Sequence, residues 1–190
     1  MGVYSLTIKP PTDDAYIEEA LPLNYGSETY LQIYDAGGSP NRIYIRFDLS
    51  SIPTNATLLT AKIRLYYYAF EPANVNPRGR SVSAHRVLGS WSEDNITGTN
   101  NPSFASTATS TTTIPSSFGW VEWDVLSDVQ NMLAGNVPNY GWCIKYDYEN
   151  RGTLYASRAK FRSKEYDGYD PELYVEYAIP ESFTKEVRDV

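Results

Sequence analysis

Hydrophobic and polar positions alternate most cleanly from Ile43 to Pro53 and again from Ala61 to Tyr68. In the first run Ile43, Ile45, Phe47 and Leu49 share one side of a two-residue period, and Tyr44, Arg46 and Asp48 share the other. In the second run Ala61, Ile63, Leu65 and Tyr67 oppose Lys62, Arg64, Tyr66 and Tyr68. That period belongs to a half-buried strand. The two runs, joined through Pro53 and a polar turn, predict the nucleus of a sheet.

The remaining pattern extends it. Asp13 to Ile17 reads as a short strand after the proline-stopped segment Thr7 to Pro11, and the turn Asn24-Tyr25-Gly26 leads into Tyr30 to Tyr34, where Leu31 and Ile33 share a face. The loop Asp35 to Asn41 then predicts a hairpin into the first organising strand. Val82 to Leu88, Trp120 to Val125, Trp142 to Tyr146, Thr153 to Ser157, Ala159 to Glu165 and Leu173 to Tyr177 complete the strand candidates. The period changes once: Val125, Val129, Met132 and Leu133 have helical spacing, with Asp124 or Ser127 as a cap and Gly135 where a terminating glycine belongs. Between Ser90 and Gly119 the chain is rich in Ser, Thr, Asn and Pro, which predicts a long loop facing a ligand. Many short strands, one helix and no alternation of strand with helix predict an all-β fold, an antiparallel β-sandwich of jelly-roll type. Residues 1–179 are expected to form one domain, followed by a linker stump over 180–190.

Composition agrees: aromatics make up 14% of the 190 residues, with seventeen Tyr and four Trp, beside twelve Gly and twelve Pro. A net charge of -7 argues against nucleic acid, whose binding needs a surplus of Lys and Arg. The single cysteine, Cys143, allows no intrachain disulfide, and within Trp142-Cys143-Ile144 it reads as a small buried hydrophobe. No apolar run reaches the roughly 18 residues of a membrane helix, and no signal-peptide core opens the chain. The expectation is a cytoplasmic protein or a module of a larger secreted or surface protein.

Candidate chemistry concentrates on one strand. Lys160, Arg162 and Lys164 project from one face, Tyr166 continues the row, and Arg158 extends it backwards. Cations beside aromatic rings suit an anionic sugar, because cations pair with carboxylates and rings stack on sugar faces. A charged edge that discourages strand pairing has the same signature. Tyr66 and Tyr68 could add an aromatic platform, and Trp91 and Trp120 flank the long loop, one of them fit for the core and Trp91 a ligand-side candidate. Arg46 and Glu165 read either as a structural ion pair with each other or as two unrelated, solvated groups. A glycosidase pair such as Glu93 with Asp124 would need a separation of about 5–9 Å across a cleft, and Asp124 is better explained as a helix cap. The lone His85 has no partner at metal-ligand or triad spacing and reads as a satisfied strand histidine. Structural calcium is a further candidate, held by Asp13 and Asp14, with Asp35, Asp167 and Asp170 as other oxygen donors.

The ordered series Asn24-Tyr25-Gly26, Arg46-Phe47-Asp48-Leu49-Ser50-Ser51-Ile52-Pro53, Ala61 to Tyr66, Trp91-Ser92-Glu93, Trp123-Asp124-Val125, Asn139-Tyr140-Gly141-Trp142 and Phe161 to Glu165 resembles the DNRLRE domain family. That family overlaps the disaggregatase-related repeats of methanogenic archaea and a carbohydrate-binding module family. The resemblance runs from about Asp13 to Tyr177 and implies a β-sandwich module within large secreted or surface-attached proteins, with acidic polysaccharide as ligand. The chain departs at Ile96 to Pro102, where many members carry a Trp and paired Asn residues. The expectation is therefore a non-catalytic module for extracellular or cell-envelope polysaccharide, with other domains of a parent protein as neighbours and no membrane insertion. The alternative is a structural adhesion or surface-layer repeat that binds other protein domains.

Overall fold

The computed structural model describes residues 2–35, 38–71, 75–149 and 156–180. Among these the elements are β1 (Gly2–Ile8), β2 (Asp13–Glu18), β3 (Tyr30–Tyr34), β4 (Asn41–Arg46), β5 (Thr57–Phe70), β6 (Ser81–Arg86), β7 (Ser110–Thr113), β8 (Gly119–Asp124), α1 (Leu126–Leu133), β9 (Trp142–Tyr146), β10 (Arg158–Arg162) and β11 (Glu172–Ile179). Every pairing between these strands is antiparallel. The fold is the expected all-β sandwich with one short helix.

The 14-residue β5 is the hub of the first layer. Its first part pairs with β11 and its end with β10, while β8 runs along the opposite edge. The β10 pairing carries a register shift between Lys160 and Phe161, so that Phe161 lies opposite Tyr67. Beyond them, β1 continues from β11 and β3 from β10. The second layer runs β2-β4-β9-β6-β7. The layers meet where Tyr34 of β3 pairs with Asn41 of β4.

The main core lies between the layers. Leu31, Ile33, Ile63, Leu65, Phe161, Leu173 and Val175 come from the first, and Tyr16, Ile43, Ile45, Val82, Trp142 and Ile144 from the second. The predicted inward parities of both organising strands hold. α1 closes one end by burying Val129 and Met132; the Asp124 carboxylate accepts the Leu126 N–H at 3.0 Å, and Gly135, at φ 73°, donates its N–H to the Met132 carbonyl. Leu133 is exposed rather than inward.

Four expectations need correction. The hairpin through Asp35 to Asn41 holds only at Tyr34 and Asn41, because β3 continues beside β10 and β4 beside β2 and β9. Tyr44, on the predicted solvent side of β4, is fully buried. The reason lies in the third correction: the stretch from Ser90 to Gly119 is no open loop. Its first part lies over the outer face of the second layer and builds a second core of Ala15, Ile17, Tyr44, Val87, Ile96 and Cys143, flanked by Trp91, Phe104 and Tyr140, while its later part supplies β7. Fourth, Arg46 pairs not with Glu165 but with Asp13, directly opposite on β2, its Nε donating to Oδ2 at 3.0 Å. The strand expected over Thr153 to Ser157 falls mostly outside the described residues, as does 181–190 of the expected stump.

Candidate functional site

The outer face of the first layer carries the predicted cation row. On β10, Ala159 and Phe161 are buried, so Arg158, Lys160 and Arg162 project outward, and neighbouring strands bring rings to each of them. β3 pairs with β10 in a register that sets Tyr34 opposite Arg158 and Tyr30 opposite Arg162. The Arg158 guanidinium lies 4.5 Å from the Tyr34 ring centre, and the Lys160 ammonium lies 4.8 Å from that of Tyr30. From β5 and from the turn after β10, Tyr68 and Tyr166 each stand 3.6 Å from the Arg162 guanidinium carbon. Such contacts contribute about 0.5–2 kcal/mol each, more as water is excluded.

The rings continue sideways. Tyr66 stacks on Tyr169 at 3.9 Å and meets Trp120 edge-on at 5.4 Å, and Arg64 lies 5.0 Å from the Trp120 ring. Among the described residues, neither Lys160 nor Arg162 forms a salt bridge, whereas Arg158 reaches Glu71 at 4.0 Å and Arg64 pairs with Glu122 and Glu172. The Nε atoms of Arg158 and Arg162 are buried without a hydrogen-bond partner. Two cations are thus held by aromatic rings with no carboxylate among the described residues paired to them, inside a chain whose net charge is -7.

Other predicted site residues go elsewhere. Lys164 leaves the row: β10 ends at Arg162, and the Lys164 ammonium turns to Glu93 at 2.5 Å and to the Thr12 carbonyl at 3.2 Å. Trp91 belongs to the cover of the second layer, donating its indole N–H to the Tyr140 carbonyl at 2.8 Å and meeting Tyr44 edge-on. Asp13 is occupied by Arg46 and by the Glu93 N–H, and Asp35 by Arg80 and the Ser157 N–H. Of the suggested carboxylate pair, Glu93 is held by Lys164 and Asp124 caps α1. His85 is satisfied: its Nδ1–H donates to the Ala105 carbonyl at 2.8 Å, and burial holds its pKa below the usual value. The Cys143 thiol is fully buried and pushed up to about 12, chiefly by desolvation.

Sequence reasoning missed Tyr30 and Tyr34 as partners of the cation row. The available signal was the alternation within β3 itself, since Leu31 and Ile33 inward forces Tyr30 and Tyr34 outward. It also missed a cluster of carboxylates. Asp14, Glu93 and Glu165 each offer an oxygen within 4.8 Å of the others, although they lie far apart in the chain.

Comparison with known proteins gives the same direction. The model of a family described as carbohydrate-binding module family 96 matches residues 6–177. No curated protein matches the chain. The chain belongs to carbohydrate-binding module family 96.

Proposed function

We propose that this carbohydrate-binding module recognises acidic, uronate-containing polysaccharide on the outer face of its first layer, without turning it over, as part of a secreted or surface-attached protein. The observation that carries the reading is the array of Arg158, Lys160 and Arg162 held against Tyr34, Tyr30, Tyr68 and Tyr166. Neutral sugars need rings to stack on and hydrogen-bonding groups; they have no use for two unpaired cations. A uronate supplies both a sugar face for the tyrosines and a carboxylate for Lys160 or Arg162. Outward side chains on a strand recur about every 6.6–6.8 Å, so the row presents its charges in a line, as a polymer with repeating carboxylates requires. The flanking Tyr66, Tyr169 and Trp120 extend the platform.

Calorimetric titration with polygalacturonate, alginate and a neutral glucan at low and at physiological salt tests the reading. The expected result is binding to one or both polyuronates, weakened by salt and by Lys160→Ala and Arg162→Ala, with little binding to the glucan. Equal affinity for the neutral glucan would overturn the acidic specificity. Absence of any polysaccharide binding, together with concentration-dependent self-association through the same face, would make that face a protein contact instead.

A further inference from the structure

The geometry points to a second site, and we propose that Asp14, Glu93 and Glu165 together hold one calcium ion that ties the two layers and the covering segment to each other. Their chain segments are otherwise unrelated. Asp14 sits on β2, opposite Ile45 and on the same parity as the core residue Tyr16, so its carboxylate points into the end of the sandwich. Glu93 comes from the segment covering the second layer, and Glu165 from the turn after β10 in the first.

Three observations favour a cation. One carboxylate oxygen from each residue lies within 4.8 Å of the other two. Calcium binds oxygens at about 2.3–2.6 Å, so oxygens sharing one ion lie at most about 5 Å apart; the three already meet that limit. Next, Asp14 is only 1% exposed, and its Oδ1 has no hydrogen-bond partner, while Glu165 Oε2 is likewise buried and unpartnered. The neighbouring oxygens are pinned by the protein: Asp14 Oδ2 accepts the Lys164 N–H at 3.0 Å, and Glu93 Oε2 accepts the Asp14 N–H at 3.0 Å and the Lys164 ammonium at 2.5 Å. These bonds hold the Asp14 and Glu93 carboxylates in place. Last, three carboxylates against the single Lys164 ammonium leave two negative charges in a mostly dry site, which a divalent ion cancels. A buried carboxylate without such a partner is costly.

The donor set decides the class of ion. All three ligands are carboxylates, with no His or Cys among them, which suits calcium or magnesium rather than zinc. Donors from three separate segments form a site whose dimensions can adjust, as calcium tolerates and the strict octahedron of magnesium does not. Asp13 stands beside the site in a supporting role, its Oδ1 accepting the Glu93 N–H at 3.2 Å.

Polyuronates bind calcium themselves, so the test omits polysaccharide and is independent of the sugar reading. The chain is stripped with a chelator, dialysed against calcium chloride, and assayed for bound metal by atomic emission and for melting temperature. One calcium per chain is expected, with a melting temperature that climbs several degrees with calcium and does not respond to sodium chloride of equal ionic strength. Glu165→Gln should abolish both responses. Asp14→Asn, which removes the uncompensated charge without changing shape, should also lose the response yet melt no lower than the stripped wild type, which separates lost binding from lost folding. No bound calcium and no shift at millimolar calcium would overturn the site, as would a full calcium response in Glu165→Gln. A response to magnesium equal to that for calcium would overturn the choice of ion.

Discussion

The two outer faces of this sandwich obey the same pleat and end up with opposite fates. On the second layer, Ala15, Ile17, Tyr44 and Cys143 point away from the main core, yet the chain folds its own segment over them, with Trp91, Ile96 and Phe104 facing down. On the first layer, the equivalent positions carry Tyr30, Tyr34, Tyr66, Tyr68, Arg158, Lys160 and Arg162, and these remain half exposed. Tyr44 and Tyr68 show the difference in a single residue type. Tyr44 is fully buried and shares its one hydroxyl proton between the Asn101 Oδ1 and Pro102 carbonyl acceptors, each at 2.9 Å, whereas Tyr68 sets its ring against an arginine. Side-chain parity in a strand assigns a face; what the rest of the chain lays over that face decides whether it is core or open surface.

Substitutions that treat the faces alike should therefore separate them. Tyr44→Ala is expected to cost about 3–5 kcal/mol in urea unfolding, as for other buried aromatic truncations. A loss below about 1 kcal/mol would mean that the cover does not bury it in solution. Gly98→Ala attacks the cover from its anchor: an added Cβ would collide with the Glu18 carbonyl, and Gly98 also donates its N–H to the Leu21 carbonyl. Such overpacking should cost about 1–3 kcal/mol, read as a lowered melting temperature with polyuronate affinity per folded molecule unchanged.

On the open face the expectation reverses. Lys160→Ala combined with Arg162→Ala should weaken polyuronate binding at least tenfold, about 1.4 kcal/mol, and flatten its salt dependence, while the melting point stays within a few degrees. An affinity unchanged by the double substitution would remove that face from recognition. The smallest effect concerns pH. His85 lies on the covered face among Lys145, Asp147 and Glu149, with its folded pKa below the unfolded value of about 6.5. The unfolded chain therefore takes up this proton first as pH falls, so stability is lost as pH drops through about 6.5 and the loss ends below the folded pKa. The melting-temperature gap between wild type and His85→Asn should shrink from pH 8 to pH 5; a constant gap would show that His85 titrates alike in both states.

Much of the layout was legible because period-two alternation survives wherever only one face is buried, as at Ala61 to Tyr68 and Leu173 to Tyr177. Tyr44 broke the rule because β4 is buried on both sides. A trace of this was present in the unbroken apolar runs Ala15-Tyr16-Ile17 and Trp142-Cys143-Ile144, which is how strands covered on both faces read. The cation row was readable within one strand as far as Arg162. Its ring partners were less so, since Tyr34, Tyr30 and Tyr68 arrive by cross-strand register, which alternation alone does not fix. The carboxylate cluster had no spacing to read at all: Asp14, Glu93 and Glu165 converge only when the turn after β10 meets β2 and the covering segment.

Arg162 has one more consequence. A guanidinium held at 3.6 Å from two rings has surrendered most of its rotamer freedom before any ligand arrives, a loss that a free arginine on an open surface would suffer at the moment of contact. On the proposed reading, a polymer docking here would meet a rigid template instead of a mobile brush of charge. Such a template rewards a carboxylate that already sits in the right place and gives little to one that must search for it, so the module should distinguish polyuronates of equal charge density by the shape of their backbone.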